Sequence, residues 1–371
     1  HIINKGKHLN IILLYKFCGN ICCGINDNLL LKTERLVKAA GMCEIDMEHK
    51  FVAIKTHFGE YGNLSYLRPN YCKVLGDLVK SAGGYPFLTD TNTLYVGMRK
   101  HAVEHLENAA LNGFTPQTTG CQVIIADGLK GTDDVEVPIN EQYVKEAKIA
   151  RGIYDSDVIV SLSHFKAHEI TGFGGALKNL AMGCASRRGK PSVDQDACRG
   201  CKACAKVCAQ NAIVFTGKKA SISDSCVGCG RCIGVCTFDA ICAQYDEEGD
   251  IVNAKIVEYA MAAVKDKPSM HICVISDVSP FCDCHAENDV PIVPNVGILA
   301  SADPVALDKA CVDLVLKQTP MPGSRLFDRD LRNLEGDLLK RNQPVTNWKS
   351  TFEHAEKIGF GSTEYELINV R

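Results

Sequence analysis

Two runs of cysteine dominate the chemistry available to this chain. The first, CRGCKACAKVC, sets Cys198, Cys201, Cys204 and Cys208 at C-x2-C-x2-C-x3-C spacing, and the second, CVGCGRCIGVC, repeats it with Cys226, Cys229, Cys232 and Cys236. Each ligand recurs at an interval of 28 residues, as do Ala212 with Ala240 and Ile213 with Ile241, so the unit is an internal duplication. A [4Fe-4S] cube needs four thiolates, and a tight loop can supply three at x2 spacing while the fourth, after x3, points elsewhere. Structural zinc favours two separated C-x2-C pairs over three-plus-one runs. A disulfide framework is the habit of small oxidised domains, not of a 371-residue chain with 46% hydrophobic residues.

Over about 50 residues the double run resembles the bacterial two-cluster ferredoxin module, with all eight ligands present. The resemblance implies cross-ligation: Cys198, Cys201, Cys204 and Cys236 for one [4Fe-4S] cluster, and Cys226, Cys229, Cys232 and Cys208 for the other. One departure is visible, since the proline usual after the fourth cysteine is Ala209 in the first run and Thr237 in the second.

The elements that must carry this unit read as α/β. From Phe51 onward, apolar runs alternate with polar loops and helical segments. FVAIKTHFG, PFLTDTN, CQVIIADG and DVIVSLSHF read as strands. Residues 68–84 (with Pro69 in the first turn), 98–113 and 142–154 read as helices. After the cysteine runs the pattern resumes: 256–266 helical, HICVISDV and NVGILAS as strands, and DPVALDKACVDLVLKQ as a helix with Asp303 as N-cap. The expected fold class is α/β, a largely parallel sheet flanked by helices, with a small inserted α+β two-cluster ferredoxin domain. Its expected boundaries are 1–30, an N-terminal segment assigned no element; 31–190, the first α/β part; 191–245, the insert; and 246–371, the second α/β part.

Ligands of open parallel sheets bind beyond the carboxyl ends of strands. There the sequence places Lys55, His57, Gly59 and Asn63, then Asp90, Thr91 and Asn92, then Asp127 and Gly128, and then Ser163, His164, Lys166 and His168. In SHFKAHEITGFGGALKNLAMGC, a glycine-rich turn at Gly172, Gly174 and Gly175 opens a helix carrying Lys178 and Asn179, a pattern able to cradle an anion through backbone N–H groups. His57, His164, His168 and Lys178 are the candidate catalytic groups. A third metal set is offered by Cys282, Cys284 and His285 in PFCDCHAEND, with Cys184 to complete it; these thiols suit a thiophilic ion. Cys18, Cys22 and Cys23 lack the spacing of a cluster. Cys43, Cys72, Cys121, Cys242, Cys273 and Cys311 fall on apolar faces as core residues.

The stretches FVAIKTHFGEYGNLSYLRPNY, FLTDTNTLYVG, VIIADGLKG, HFKAHEITGFGGALKNLAMGC and ILASADPVALDKA resemble the domain of unknown function 362 family, in the subfamily with a ferredoxin insert, over about residues 32–371. The resemblance implies the α/β fold and iron–sulfur clusters, typically in anaerobes, and fixes no reaction. A fainter likeness joins His168, Gly172, Phe173, Gly175 and Lys178 to the H-x3-G-F-x-G-x2-K run of nickel-dependent lactate racemases. In those enzymes the histidine is a base and the lysine carries the nickel cofactor. Gly174 stands where that family tends to have serine, and a racemase needs no ferredoxin, so this likeness implies the pocket's location rather than its cofactor.

Composition narrows the partners. A net charge of -3, from 41 basic and 44 acidic residues, leaves no electrostatic footprint for nucleic acid. The lipophilic LNIILLYKFCGNICCGI is cut by Lys16 and Asn20, too short for a membrane span and without a cleavage pattern for export, so a cytoplasmic protein is expected. Neither a G-x-G-x2-G turn after a strand nor a G-x4-G-K-[ST] loop is present, which disfavours NAD or ATP. Three functions stand: an iron–sulfur oxidoreductase acting on a small anionic substrate, a non-enzymatic carrier whose α/β domain docks a redox partner (a ferredoxin, flavodoxin or reductase), and a metal-cofactor isomerase of lactate-racemase type.

Overall fold

The structure, a computed structural model, describes residues 10–17, 28–94, 97–187, 192–223, 225–226, 232, 235–238, 240–242, 249–328 and 336–370. Cys18, Cys22, Cys23 and Cys229 lie outside these residues, as does the side chain of Cys242.

Eight strands form one sheet: β1 (Asn10–Lys16), β2 (Phe51–Lys55), β3 (Tyr85–Asp90), β4 (Gln122–Ile125), β5 (Val158–His164), β6 (Ser269–Ile275), β7 (Gly297–Ser301) and β8 (Tyr365–Asn369). Their order is β8-β1-β7-β6-β5-β2-β3-β4. The β4 to β6 block is parallel throughout, β7 is antiparallel to both of its neighbours, and β1 pairs β8 in parallel. Only β7 therefore runs against the rest. The first strand comes from the N-terminal segment to which the sequence assigned no element; its run of Ile12, Leu13 and Leu14 is buried in the sheet.

Period-two alternation splits the strands between two cores. Ala53, Phe87, Ile159, Cys273, Ile275 and Leu299 face one, under helices Ala176–Ala181, Gly249–Val264, Pro304–Leu316 and Lys349–Lys357. Val52, Ile54, Leu88, Val160, Ile272 and Ile298 face the other, under helices Leu29–Ala39, Asn70–Ser81 and Ala102–Leu111. At about 1.5–3 kcal/mol for each fully buried aliphatic side chain, this double-sided burial is the main stabilising term. No helix among the described residues is long and apolar enough to cross a membrane.

Two sequence expectations fail. Residues 142–154 are not a helix: Glu146–Ala150 is a strand paired antiparallel with Asp134–Pro138, and only Arg151–Tyr154 is helical. Ala147 and Ile149 point inward two residues apart, and Asn140 closes the hairpin with a left-handed φ of 56°, so tertiary packing overrides the helical propensity of Glu, Lys and Ala. Cys43 is exposed rather than a core residue, because it lies on the outer side of the short 3-10 turn Met42–Glu44; Cys72, Cys121, Cys273 and Cys311 are buried.

The cysteine-rich excursion forms a small unit of its own. Ser192–Val193 pairs with Ile241–Cys242, and Ile213–Thr216 makes a hairpin with Lys219–Ile222. Ile213, Ala220, Ala240 and Ile241 form its core with Cys198, Cys204 and Cys232. It leaves the α/β layers after Ala185, which bridges Ile149, and Arg187, whose N–H donates to Asp127 (3.3 Å). The chain re-enters at Gly249, where an added Cβ would lie 3.2 Å from the Ile170 carbonyl oxygen.

The helix Ala176–Ala181 starts on a buried carboxylate. Asp308 accepts the Ala176 N–H (2.7 Å) and the Leu177 N–H (2.9 Å), and a Cβ on Gly175 would collide with it. The glycine-rich turn expected to cradle an external anion thus already holds an internal one. Burial pushes the Asp308 carboxyl up to about 7. A carboxyl raised in the folded state stabilises the fold below its unfolded value, and that stability is lost as pH rises from about 4 to about 7, by at most about 1.4 kcal/mol per pH unit. Asp308→Asn cannot titrate, so the stability gap between wild type and variant, read by guanidinium unfolding, is expected to shrink between pH 5 and pH 7.5. A constant gap would mean that Asp308 holds the same charge in both states.

Candidate functional site

The first site is the cysteine unit. Cys198, Cys201 and Cys204 line one cavity together with Cys236 of the second run, and Phe215 and Phe238 wall it; Cys208 is not among its lining residues. The helix Ala203–Val207 carries Cys204, and Cys208 caps its end with an extended backbone, which turns the fourth thiol of the run away. Backbone N–H groups aim at sulfur: Ala220 at Cys198 Sγ (3.4 Å) and Ala212 at Cys208 Sγ (3.2 Å). The Ala220 N–H in particular holds the Cys198 thiol below its ordinary value, outweighing what burial adds.

The second site is the carboxyl edge of the sheet, where the loops after β2, β3, β5 and β6 meet. At its floor, Lys55 pairs with Asp90 (3.0 Å), with 1% and 3% of their side chains exposed, and donates to Asn179 Oδ1 (2.8 Å). Asn179 in turn donates toward Ser161 and Ser163, stitching the short helix to β5. A Cβ on Gly183 would collide with Lys55 Nζ, so glycine there lets the ammonium in. Beside this pair, Glu60 takes Arg99 Nε (3.0 Å), and Arg99 Nη1 lies 2.9 Å from His57 Nε2. Burial, then the charge of Arg99, holds His57 well below the usual imidazole value, so it stands neutral.

His164, His168 and Lys178 meet at consecutive residues of the loop after β6. His164 Nδ1 is 2.8 Å from Asp283 Oδ2, and its Nε2 donates to the Ser276 carbonyl (2.6 Å), so both ring nitrogens are engaged. Lys166 also reaches Asp283 (3.0 Å). Although burial opposes its charge, these two partners keep Asp283 below the ordinary carboxylate value. Lys178 Nζ donates to Cys282 Sγ (3.2 Å). His168, whose Nδ1 accepts the Ile170 and Thr171 N–H groups (3.2 Å each), bonds the same sulfur. Hydrogen bonding from Cys284 is the largest influence holding Cys282 well below the thiol range, and Lys178 and His168 add to it against burial. Gly174 sits between the two lysines; its Cβ would lie 3.2 Å from Lys166 Cε and 3.4 Å from Lys178 Cδ.

Cys184 is not with Cys282, Cys284 and His285. It lies beside Lys55 and Asp90, where burial pushes its thiol up to about 12. The described residues that bring three metal-ligating atoms together are Glu169, Cys284 and His285, so of the expected set only Cys284 and His285 are in it: Cys282 is turned to Lys178 and His168, Cys184 lies elsewhere, and a glutamate joins instead. Arg99, Glu60 and Glu169 were not singled out by sequence. Arg99 opens what reads as an ordinary amphipathic helix, and Glu60 and Glu169 sit in polar loops with no spacing signal.

Lys55→Met leaves Asp90 with Arg99 and His105 as more distant partners, at 3.9 and 3.8 Å. Removing one member of a buried pair costs about 3–5 kcal/mol. The expected loss is near the lower figure, read as a fall in the urea midpoint with unchanged slope; a loss below about 1 kcal/mol would show that the other cations already neutralise Asp90.

No curated protein matches the chain. Among solved structures, it is similar to the lactate racemase apoprotein from Thermoanaerobacterium thermosaccharolyticum (11% identity, 72% of this chain and 51% of that chain, TM-score 0.36). It is also similar to a structural-genomics protein from Thermotoga maritima (14% identity, 72% and 54%, TM-score 0.35). The chain spans about half the length of these two solved chains, and likeness at this level carries no functional argument. A family model is decisive where these are not: the one described as Domain of unknown function (DUF362) matches residues 52–313, well over half of the sequence and both sides of the cysteine unit, and the chain belongs to that family.

Proposed function

We propose that the protein is an iron–sulfur oxidoreductase, in which the insert holds two [4Fe-4S] clusters and serves chemistry on a small anionic substrate at the carboxyl edge of the sheet. The observation that carries this reading is the cavity shared by Cys198, Cys201, Cys204 and Cys236. Three thiols of one run and the last of the other are the donor set that cross-ligation requires, and among the described residues no carboxylate or imidazole lines that cavity. The backbone N–H groups directed at Cys198 and Cys208 support the same donor chemistry, since hydrogen bonds to sulfur stabilise thiolate. Cys226 and Cys232, with Cys208 and with Cys229 outside the described residues, would hold the second cluster. Such clusters, when bound, supply one-electron transfer at low potential.

The chain's own groups support a reacting edge rather than a docking face. Lys178 and Arg99 bring positive charge to this edge, where the Cys282 thiolate is held in place by Lys178 and His168 and a neutral His57 receives the Arg99 N–H. Both ends of the insert root near this edge, beside Asp127 and Ile170, which supports electron delivery to it. A redox partner protein of the ferredoxin, flavodoxin or reductase class would meet the insert. A non-enzymatic carrier has no use for this set of converging ionisable groups.

A second reading is favoured by one observation. His168 and Lys178, two positions of the racemase-like run, lie together at one sulfur, so a base and a cofactor-bearing lysine would face one pocket. In that case the clusters take no part in turnover.

Anaerobic reconstitution is expected to give about eight irons and eight sulfides per chain. Cys236→Ser should halve the iron and abolish the same paramagnetic signal as Cys198→Ser, while Cys208→Ser abolishes the other. Zinc in place of iron after anaerobic preparation, or Cys236→Ser pairing spectroscopically with Cys226→Ser, would overturn the assignment. Intact clusters that cannot be reduced at low potential would favour the isomerase.

A further inference from the structure

Glu169, Cys284 and His285 belong to neither cysteine run, and they follow directly on the His164–Asp283–Lys166 clamp without being part of it. One ligating atom from each falls within 4.8 Å of the others. Zinc-type bonds of about 2.0–2.3 Å place tetrahedral ligands roughly 3.3–3.8 Å apart, so side-chain rotations of about an ångström would close the set. The two arms that carry these residues are pinned. On one side the His285 N–H donates to the Cys282 carbonyl (3.1 Å), Asn63 Nδ2 donates to the His285 carbonyl (3.0 Å), and the Leu64 N–H donates to Asn288 Oδ1 (3.2 Å). On the other, Glu169 sits in the turn fixed by the two N–H groups that His168 Nδ1 accepts.

Glu169 carries a second, independent sign. Its Oε1 meets His285 Nε2, but Oε2 is shielded from solvent and has no hydrogen-bond partner among the described residues. A carboxylate oxygen shut away from water without a partner is costly, and a bound cation would satisfy it. Lys166 is committed to Asp283 and Lys178 to Cys282.

We infer that Glu169, Cys284 and His285 form a third metal site, which takes one divalent ion of the zinc, cobalt or ferrous class and leaves one coordination position open. The donor set decides the class: one thiolate, one imidazole and one carboxylate suit borderline transition ions, whereas magnesium and calcium take oxygen ligands. Three protein ligands with a fourth position free is the pattern of reacting rather than structural sites. The half-exposed Cys284 and exposed His285 leave that position open to solvent. Metal binding takes Cys284 as a thiolate and so releases the proton that it shares with Cys282. The inference does not rest on the cluster assignment, since none of its ligands belongs to the insert.

The test uses the whole 371-residue chain, anaerobically reconstituted, titrated with zinc against a competing chelator and read by metal analysis and zinc X-ray absorption. Expected is one zinc per chain in addition to iron, in a shell of one sulfur with lighter ligands. Cys284→Ser, His285→Ala and Glu169→Gln should each weaken binding tenfold or more without changing the iron count, while Cys43→Ser, at an exposed thiol elsewhere, leaves affinity unchanged. Should Cys284→Ser melt early, the substitutions at the exposed His285 and the partly buried Glu169 carry the test alone. Binding that survives both His285→Ala and Glu169→Gln, or zinc in an all-sulfur shell that marks entry into the insert, would overturn the site. Loss of iron with zinc binding intact would instead overturn only the cluster reading.

Discussion

The organisation of the carboxyl edge depends on one buried carboxylate. Asp283 sits between His164 at the end of β5 and Lys166 just beyond it, while its own carbonyl receives the Glu60 N–H from the loop after β2 (3.0 Å). Three chain segments distant in sequence are thereby tied at one residue. The two neighbours of Asp283 in the chain are the thiols of Cys282 and Cys284, so the clamp also decides where sulfur is presented. A buried ion pair of this kind contributes little net stability, but losing one member leaves an uncompensated charge in the core. What it contributes is position: it is the charged side chain by which the loop after β6 is tied to the end of β5.

Much of this was legible in the sequence. Buried strands with period-two faces, Pro69 and Asp303 at helix starts, and the mostly parallel sheet flanked by helices all followed from local rules, because each element agrees with its own propensity and packing. The hairpin at residues 134–150 did not, since Glu, Lys and Ala favour helix until a partner strand and the turn at Asn140 are supplied. Cys43 shows the same limit on a smaller scale: an apolar neighbourhood in sequence did not make an inward face.

The site divided along a similar line. The eight cysteines announce themselves by spacing, and His57, His164, His168 and Lys178 by their place after strands. Their partners do not. Arg99, Glu60, Asp283 and Glu169 are ordinary charged residues whose meaning comes only from the loops that bring them together, and the anion that the glycine-rich turn holds is Asp308, more than 130 residues away. A backbone pattern can be read for the kind of group it welcomes, but whether that group is a ligand or the chain's own side chain is a tertiary fact.

The excursion of roughly 60 residues between Arg187 and Gly249 separates two helices, Ala176–Ala181 and Gly249–Val264, that pack against each other. Closing a flexible loop carries an entropic cost that grows only with the logarithm of its length, by about 0.6 kcal/mol for each doubling. The α/β layers therefore lose little by hosting a long detour, whether that detour is ordered or not. Evolutionary insertion at this point is cheap for the same reason, and a lineage could lengthen, shorten or remove the cysteine unit while the sheet, and the edge it builds, kept its shape.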